Sequence, residues 1–417
     1  MYRLFQPSVA SVTHAPVLVI FIDEEQSGWC QQFSEEGYAV VQVARPRDTD
    51  AEQDRNATAR EATRVVRELG SNWGIITYGI TQEDAVFISN FLDAARRAPN
   101  LKACIHFAIS CDSPAAFIPR TSAGQLSVLP TIVHLSSSQE ATHAVFQLLA
   151  DSDSSQLRSA SEYPPITVYT YPSVPFDPPF PFKTKVPALV QAGESSSVDP
   201  YIRSATNLSY SRTLALLRRE LGPHFDLEKL WERHTYYVRT FTLEKSENSV
   251  NSNALQEFVE RDAPKSMSTM VKVPYVNHVA TLTGGVGYDD LARFYKYHFT
   301  GTNVTPPDTE LIVVSRTVGA DRIIDEMIFK ATHTTEIDYF LPGIKPTGKP
   351  FQIALVGVIA FRGDKLTFEY APQYWLLDPF GLPVAGVETA QKVLDPFAIP
   401  SNTLMKRWKE SEGLDID

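Results

Sequence analysis

Short apolar runs alternate with amphipathic helical segments along the first half of the chain, from Pro16 to about Gly222. Residues 50–69 and 83–98 carry apolar side chains at three- and four-residue spacing with charges on the opposite side, which is typical of helices that cross over a sheet. This alternation predicts a mostly parallel sheet covered by helices, the α/β class. The predicted strands are Val17–Ile22, Ala39–Val43, Trp73–Tyr78, Ala103–Ile109, Thr131–Leu135 and Ile166–Tyr171.

A proline-rich stretch and a glycine–proline pair end this first pattern. Eight prolines fall within residues 164–187, so the chain after the last strand is predicted to run as extended or turning loop. Apolar spacing over 204–221 predicts a helix that Gly222 and Pro223 end, and Asp226 is an N-cap candidate for the next helix. We therefore expect two domains, residues 1–222 and 223–417.

The second half begins with helical segments, at 226–238 and 289–297, and strands follow them. Two pairs of strands are each joined by a short glycine-containing turn, which predicts two antiparallel hairpins. Helices packed on a curved antiparallel sheet form a cone whose mouth can hold a ligand, an α+β arrangement. The predicted strands are Leu311–Thr317, Arg322–Thr332, Phe351–Phe361 and Lys365–Tyr370.

Composition and charge exclude several classes of protein. No apolar run approaches the roughly 18 residues that would cross a bilayer, and residues 1–10 lack a signal-peptide pattern, so a cytoplasmic location is expected. The formal net charge of -11 predicts repulsion from nucleic acid and anionic lipid, and a small neutral or apolar ligand is more natural. Cys30, Cys104 and Cys111 are widely spaced, which predicts buried thiols rather than a disulfide framework or a zinc site.

The turn after the strand Trp73–Tyr78 stands where an α/β hydrolase carries its nucleophile. The turn reads Thr77-Tyr-Gly-Ile-Thr81, so Gly79 occupies the nucleophile's position and offers no side chain. No acyl-enzyme can form there.

Residues 16–222 resemble the dienelactone hydrolases along their whole length, including the final helix. The resemblance places Gly79 at the family's nucleophilic cysteine, residues 136–138 at its acid and about Phe176 at its histidine. It therefore implies an α/β hydrolase-like N-terminal domain without the catalytic triad. The alternative is an improvised site that uses Cys30, Cys111 or His134, although lone Cys and His are more often core residues.

Residues 225–396 resemble the SnoaL-like branch of the NTF2-like fold, which implies a cone-shaped C-terminal domain. Members of that branch bind polyketides and cyclise or isomerise them by acid/base chemistry without metal or cofactor. The two-domain arrangement is similar to fungal pyrone-forming cyclases of polyene-pyrone pathways of the aurovertin and citreoviridin type. The motifs are Tyr275-Val-Asn-His278, Thr283-Gly-Gly285, Ser315-Arg-Thr-Val-Gly-Ala-Asp321, Ile324-Asp-Glu-Met-Ile-Phe329, Leu341-Pro-Gly343 and Pro346-Thr-Gly348.

The last predicted strand departs from this branch. The branch usually has a His after a Glu there, and then a Trp-Asp pair. This chain reads Glu369-Tyr-Ala-Pro-Gln-Tyr-Trp-Leu-Leu-Asp378, so Tyr374 or Leu376 stands in place of the usual Asp. The proton-transfer residue must therefore be sought elsewhere.

Strand alternation places Asp325, Met327, Phe329 and His333 on one face of the strand Arg322–Thr332 and its end. That face is apolar between two titratable ends, which is typical of a pocket wall, and an enclosed carboxylate is expected to have a raised pKa suited to proton transfer. Asp325 is therefore the predicted base. At about 3.3 Å per residue Asp325 and His333 lie about 26 Å apart, too far for a direct hydrogen bond in a straight strand.

The remaining candidates divide into catalytic and binding residues, and each has a structural alternative. Arg316 and Glu369 could form a buried ion pair, Tyr275 and His278 a packed aromatic rim, and Asp325 a strand-end hydrogen-bonding residue. The predicted catalytic residues are Asp325, His333, Tyr374 and Glu369. The predicted substrate-binding residues are His278, Tyr275, Arg316, Met327 and Phe329.

The resulting hypothesis is a polyketide cyclase that needs no cofactor or metal and closes a linear poly-β-keto chain into an α-pyrone. The chain could arrive free or on a carrier protein, and a homodimer is expected because NTF2-like sheets often pair through their convex faces. One alternative is a non-catalytic carrier that binds and protects a polyketide. Another is an active dienelactone or ester hydrolase in the first domain.

Overall fold

The computed structural model describes residues 2–44, 52–69, 72–82, 91, 100–112, 129–154, 166–191, 193–194, 198–238, 263–300, 303–370, 392 and 395–416. Tyr374, and all but residue 91 of the helix predicted at 83–98, lie outside the described residues. The chain divides into two compact units, Met1–Leu189 with Val198–His224, and Val190–Ser197 with Phe225–Asp417.

The first unit contains a seven-stranded sheet in the order β1-β3-β2-β4-β5-β6-β7. Only β1, an edge strand, is antiparallel to its neighbour, and the other described pairs are parallel, so the predicted α/β class is confirmed for this unit. The strands are β1 Tyr2–Phe5, β2 Val17–Phe21, β3 Ala39–Val43, β4 Trp73–Tyr78, β5 Leu101–Phe107, β6 Thr131–Ser136 and β7 Ile166–Tyr171.

The central strands β2, β3, β4 and β6 are buried at every residue, which explains why the sequence shows them as continuous apolar runs rather than alternating ones. The helices of this unit are α1 Ser27–Glu35, α2 Glu52–Leu69, α3 Glu140–Ser154 and α4 Pro200–Leu221. Short 3₁₀ turns cover Glu24–Gln26, Phe180–Lys183 and Pro187–Leu189.

Helix α4 shows how local sequence sets its limits. The Asp199 side chain accepts hydrogen bonds from the backbone N–H groups of Tyr201 (2.8 Å) and Ile202 (3.3 Å), and Pro200 occupies the first turn. The helix ends at Gly222, whose φ of 74° lies in the left-handed region that favours glycine.

The second unit contains a six-stranded sheet in the order β10-β11-β12-β13-β8-β9. All neighbours are antiparallel except β13 and β8. The strands are β8 Met270–His278, β9 Thr283–Val286, β10 Glu310–Val318, β11 Arg322–Thr332, β12 Pro350–Arg362 and β13 Lys365–Tyr370. The helices are α5 Leu227–Val238, α6 Ala263–Met267 and α7 Tyr288–Phe294, followed by a π-helical turn at Tyr295–Phe299 and a 3₁₀ turn at Lys406–Ser411.

The hydrophobic pattern predicts both hairpins of this sheet but not β8 and β9, which precede α7. The expected order, helices first and strands afterwards, is therefore wrong for this part of the chain. Pro274 and Asn277 interrupt the apolar pattern of β8, and β9 contains the pair Gly284-Gly285, so neither strand has the composition that marks a strand.

One face of this sheet is buried, and we call it the inner face. On β11 it carries Ile323, Asp325, Met327, Phe329 and Ala331, which are all buried, whereas Ile324 and Glu326 between them are exposed. The predicted alternation along β11 is thus confirmed. The inner face packs with apolar residues of α5 and α7, among them Trp231, Leu291 and Phe294. Among the described residues, no helix is long and apolar enough to cross a membrane.

Candidate functional site

Asp325 lies on the inner face, 0% exposed, and accepts three hydrogen bonds. Arg316, its cross-strand partner on β10, donates from Nε to Oδ1 at 2.6 Å and from Nη2 to Oδ2 at 2.8 Å. Trp231 of α5 donates its indole N–H to Oδ2 at 3.2 Å. The carboxylate is therefore held in a bidentate, charge-assisted pair and is not the isolated enclosed acid that the sequence suggested.

Arg316 also reaches Glu228 of α5, whose Oε1 lies 3.2 Å from Nη1. The hydrogen bonds that Asp325 and Glu228 accept raise the pKa of Arg316, so the guanidinium stays charged. Asp325, Arg316 and Glu228 thus form one cluster, the Asp325–Arg316–Glu228 cluster, whereas the side chain of Glu369, considered from sequence as a partner of Arg316, lies outside what the structure describes. The backbone of Glu369 pairs with Ile359 of β12.

His278 lies in an aromatic cluster on the inner face, 4% exposed. Its Nδ1–H donates to the carbonyl of Thr283 at 3.2 Å, and burial lowers its pKa to about 4, so the ring is neutral at pH 7. Ring centroids of four aromatic residues lie 5.6–5.9 Å away, namely Phe294, Phe299, Tyr339 and Phe340.

Tyr275 lies on the opposite face of β8 from His278, because the two residues are three positions apart, an odd spacing, on a regular strand. Tyr275 is 5% exposed, and its hydroxyl donates to the carbonyl of Lys392 at 3.4 Å. The structure therefore does not bring Tyr275 and His278 together at one pocket mouth.

His333 follows β11 and is 2% exposed. Its backbone N–H donates to the carbonyl of Lys349 at 2.9 Å, and its Nδ1 lies 3.1 Å from the Thr347 hydroxyl. Its Nε2 is buried and has no hydrogen-bond partner among the described residues. Burial lowers the pKa of His333 against the opposing charge of Glu336, which favours a neutral ring with one nitrogen left unpaired.

An aromatic row joins His333 to His278 across the inner face. The Phe351 ring meets His333 edge-on at 6.3 Å and stacks on Phe329 at 5.8 Å. Phe329 then contacts Phe340 at 4.7 Å, and Phe340 contacts His278 at 5.7 Å. The row, Phe351–Phe329–Phe340, makes a continuous apolar wall between two neutral imidazoles.

Asp325 and His333 do not meet. β11 and β12 pair in one unbroken register from Arg322 to Thr332, so no bulge shortens the distance between them. Met327, 8% exposed, occupies the inner face between Asp325 and Phe329. A ligand that touched both Asp325 and His333 would have to be long.

His234 of α5 is not among the candidate site residues predicted from the sequence, although His234 belongs to the apolar stripe that predicts this helix. It is 1% exposed, with Nδ1 2.8 Å from the Thr269 hydroxyl and Nε2 3.2 Å from the Tyr295 hydroxyl. Its ring stacks on Trp231 at 5.6 Å, and burial lowers its pKa to about 4. A histidine within an apolar helical stripe is the signal that points to such a buried, hydrogen-bonded ring.

In the first unit, Gly79 lies in the turn after β4 with a φ of 62°, in the left-handed region, and offers no side chain there. His134 is fully buried, with Nδ1 2.8 Å from the Tyr171 hydroxyl and Nε2 3.1 Å from the Thr213 hydroxyl. Burial raises the pKa of the Cys30 thiol to about 12. Neither residue therefore offers a reactive group for an improvised hydrolase site.

No group of three or more His, Cys, Asp or Glu side chains converges as a metal site within the part of the chain that the structure describes. Phe176, where the resemblance to the hydrolases places the catalytic histidine, is 41% exposed. The resemblance to the hydrolases places their catalytic acid at the end of β6. There the hydroxyls of Ser136 and Ser138 lie 2.8 Å apart.

No protein-family model and no curated protein sequence matches the chain. Among solved structures, it is similar to a protein from Jannaschia sp. CCS1, provisionally named a SnoaL-like polyketide cyclase, with 13% identity, a TM-score of 0.21, and coverage of 33% of this chain and 80% of that one. A protein with a ketosteroid isomerase-like fold from Catenulispora acidiphila gives 14% identity, a TM-score of 0.23, and coverage of 39% and 96%. The esterase domain of a Rhodothermus marinus protein gives 14% identity, a TM-score of 0.31, and coverage of 53% and 93%.

Proposed function

We propose that the second unit is a cofactor-independent polyketide cyclase that closes a linear poly-β-keto chain into an α-pyrone. The observation that carries the proposal is the Nε2 of the buried His333, which has no hydrogen-bond partner within the described part of the chain and lies at one end of an aromatic wall. A neutral imidazole in an apolar enclosure is suited to accept a proton from an enol. The polyketide substrate class follows from the resemblance of the sequence motifs to the SnoaL-like branch.

In this proposal His333 replaces Asp325 as the base. Each oxygen of the Asp325 carboxylate already accepts a hydrogen bond from Arg316, whereas His333 Nε2 has no hydrogen-bond partner among the described residues. If Nδ1–H donates to the Thr347 hydroxyl, Nε2 carries the lone pair that base catalysis needs.

The reaction then runs in two balanced steps. His333 Nε2 takes the enol proton, and the enolate oxygen attacks the terminal carbonyl carbon to form a ring and a tetrahedral oxyanion. The oxyanion collapses, the bond to the leaving thiol, alcohol or water breaks, and the leaving group takes the proton back from His333. No oxidant or reductant is required.

The Asp325–Arg316–Glu228 cluster acts in this proposal as a fixed charged end of the inner face, and Asp325 is a positioning residue. Arg316 stays charged because both of its carboxylate partners favour the charged form. Tyr374 remains a candidate for the donor that stabilises the oxyanion, and Glu369 remains a candidate catalytic residue. The homodimer and the fungal polyene-pyrone pathway remain predictions.

The experiment is a multiple-turnover assay of the full chain with a triketide thioester of N-acetylcysteamine, following the absorbance of the pyrone above the spontaneous rate. His333→Asn keeps a donor close to the position of Nδ1 and removes Nε2. We expect this variant to lose about 10²-fold or more in kcat, within the usual range for loss of a general base. His14→Asn, on an exposed segment of the first unit, is the matched control.

Two results would overturn the proposal. A protein that binds the thioester but does not accelerate its cyclisation is a carrier and not a cyclase. A His333→Asn variant with normal turnover, beside an Asp325→Asn variant that folds but is inactive, would return the base to Asp325.

A further inference from the structure

A groove of about 430 Å³ opens at the edge of the second unit's sheet, where β10 begins. The end of β11 and the start of β12 form its floor, and residues at and just before the start of β10 form its wall. The lining residues are Asp308, Glu310, Lys330, Ala331, Thr332, Pro350, Phe351 and Gln352.

Phe351 lines this groove and also contacts His333. The residue is half-buried and lines the groove, while its ring also meets His333 edge-on at 6.3 Å and stacks on Phe329 at 5.8 Å. Its cross-strand partner in the groove floor is the small residue Ala331. The Phe351 ring is therefore the bulky group that both lines the groove and contacts His333.

Two buried polar atoms in the same region of the chain, His333 Nε2 and the Thr335 hydroxyl, have no hydrogen-bond partner among the residues that the structure describes. A buried polar group left without a hydrogen bond costs about 1–3 kcal/mol, so such groups call for a partner outside the described residues. An imidazole nitrogen and a hydroxyl can each form a hydrogen bond with a carbonyl or enol group of a β-keto chain.

The rim of the groove disfavours anions. Asp308 and Glu310 place two carboxylates there against the single ammonium of Lys330, which lies 3.9 Å from Glu310. The Asp308 carboxylate is held in place by the backbone N–H of Thr332, at 3.0 and 3.1 Å from its two oxygens. A neutral chain can pass this rim without the repulsion that a carboxylate would meet.

We propose that this groove is the route by which a neutral, linear β-keto chain reaches His333, and that Phe351 is the gate residue that must turn aside to admit it. The identity of the ligand rests on the function proposed above. The route itself rests on the groove, the position of the Phe351 ring and the two unpartnered polar atoms.

Diethyl pyrocarbonate tests the gate without using catalysis, because it acylates unprotonated imidazole nitrogens. The full chain is treated briefly at pH 7, and modification of each histidine peptide is followed by mass spectrometry. Phe351→Ala is expected to raise the modification rate of His333 by about tenfold, which corresponds to about 1.4 kcal/mol in the free energy of opening. Phe351→Trp is expected to lower it, and Phe351→Leu serves if the Ala variant does not fold.

Val356→Ala is the matched control, since Val356 is an equally half-buried apolar residue of β12 outside the groove. The peptides of the buried His234 and His278 report any general loosening of the fold. An unchanged His333 rate in a folded Phe351 variant, or an equal rise at His278, would overturn the gate.

A pair of probes tests the class of ligand. Benzoylacetone is a neutral β-diketone, and benzoylacetate has nearly the same shape with a carboxylate at one end. We expect benzoylacetone to protect His333 from acylation in the Phe351→Ala variant and benzoylacetate to protect it much less. Equal protection by both, or by neither, would overturn the route for neutral chains.

Failure of the route and failure of the proposed function give different results. If benzoylacetone protects His333 but no variant and no wild-type protein accelerates pyrone formation, the groove is a ligand site on a protein that is not a cyclase. If pyrone formation depends on His333 while Phe351 variants change neither acylation nor KM, the cyclase stands and the groove is not its access route.

Discussion

At the scale of single residues, burial decides what the loss of each partner in the Asp325–Arg316 pair costs. The Asp325 side chain is 1% exposed and that of Arg316 is 17% exposed. In Arg316→Met the buried Asp325 carboxylate loses its guanidinium partner but keeps the hydrogen bond from the Trp231 indole N–H. In Asp325→Asn the Arg316 guanidinium still has Glu228 as a carboxylate partner. The two halves of the pair are therefore not equivalent.

We expect Arg316→Met to lower the free energy of unfolding of the second unit by about 3–5 kcal/mol, and Asp325→Asn to lower it by less. Urea denaturation measures both. The more exposed pair Lys330–Glu310 supplies the control, and Lys330→Met should cost no more than about 1 kcal/mol. A larger loss for Asp325→Asn than for Arg316→Met would mean that Asp325 does not depend on its guanidinium partner.

At the scale of elements, the hairpin of β8 and β9 depends on a close backbone approach. Gly284 has a φ of 137°, and a Cβ there would lie 2.1 Å from the carbonyl oxygen of Val276. The Asn402 side chain then pairs with both the N–H and the carbonyl of Gly284, each at 3.0 Å, and so completes the edge of β9. Any side chain at residue 284 would disrupt this contact.

Gly284→Ala is expected to cost more than about 4 kcal/mol, because backbone rather than a flexible side chain must move. Gly343→Ala is the matched control, since Gly343 has a φ of 78° but nothing within 4 Å of an added Cβ. That change should cost only the left-handed backbone penalty of about 1–2 kcal/mol. Thermal unfolding of the two variants compares them, and equal costs would show that the close approach does not matter.

At the scale of the whole molecule, two buried neutral histidines make stability depend on pH. His234 and His278 have folded pKa values of about 4, against about 6.5 for an unperturbed histidine. Between these values the unfolded chain binds more protons, so their contribution is fully present above pH 6.5 and is lost as pH falls toward 4.

Each of these histidines should contribute a slope of about 1.4 kcal/mol per pH unit in that window. We expect urea denaturation at pH 7 and pH 5 to show a less stable second unit at the lower pH. His278→Asn should reduce the slope, because the amide can still donate to the Thr283 carbonyl but does not titrate. His14→Asn is the control, and an unchanged slope in His278→Asn would contradict the assignment.

Much of the fold follows from local pattern. Period and composition predict the strands β2 to β7, the helix α4, both hairpins of the second unit and the alternation along β11, because side-chain direction within a strand or helix is a local property. The turn at residues 319–321 even places Arg316 opposite Asp325, so hairpin register alone could have revealed that pair. The absence of a nucleophile at Gly79 is likewise visible in the sequence.

Only the tertiary structure decided the contacts of the candidate site, because those contacts join residues that are far apart in the sequence. Trp231 reaches Asp325 across 94 residues, and no local pattern predicts that hydrogen bond. Whether His333 Nε2 has a partner among the described residues depends on what packs around the ring, as does the contact of that ring with Phe351, which lines the groove. The sequence alone determined the identity and direction of the candidate side chains on β11, while packing determined which of them kept a group available for chemistry.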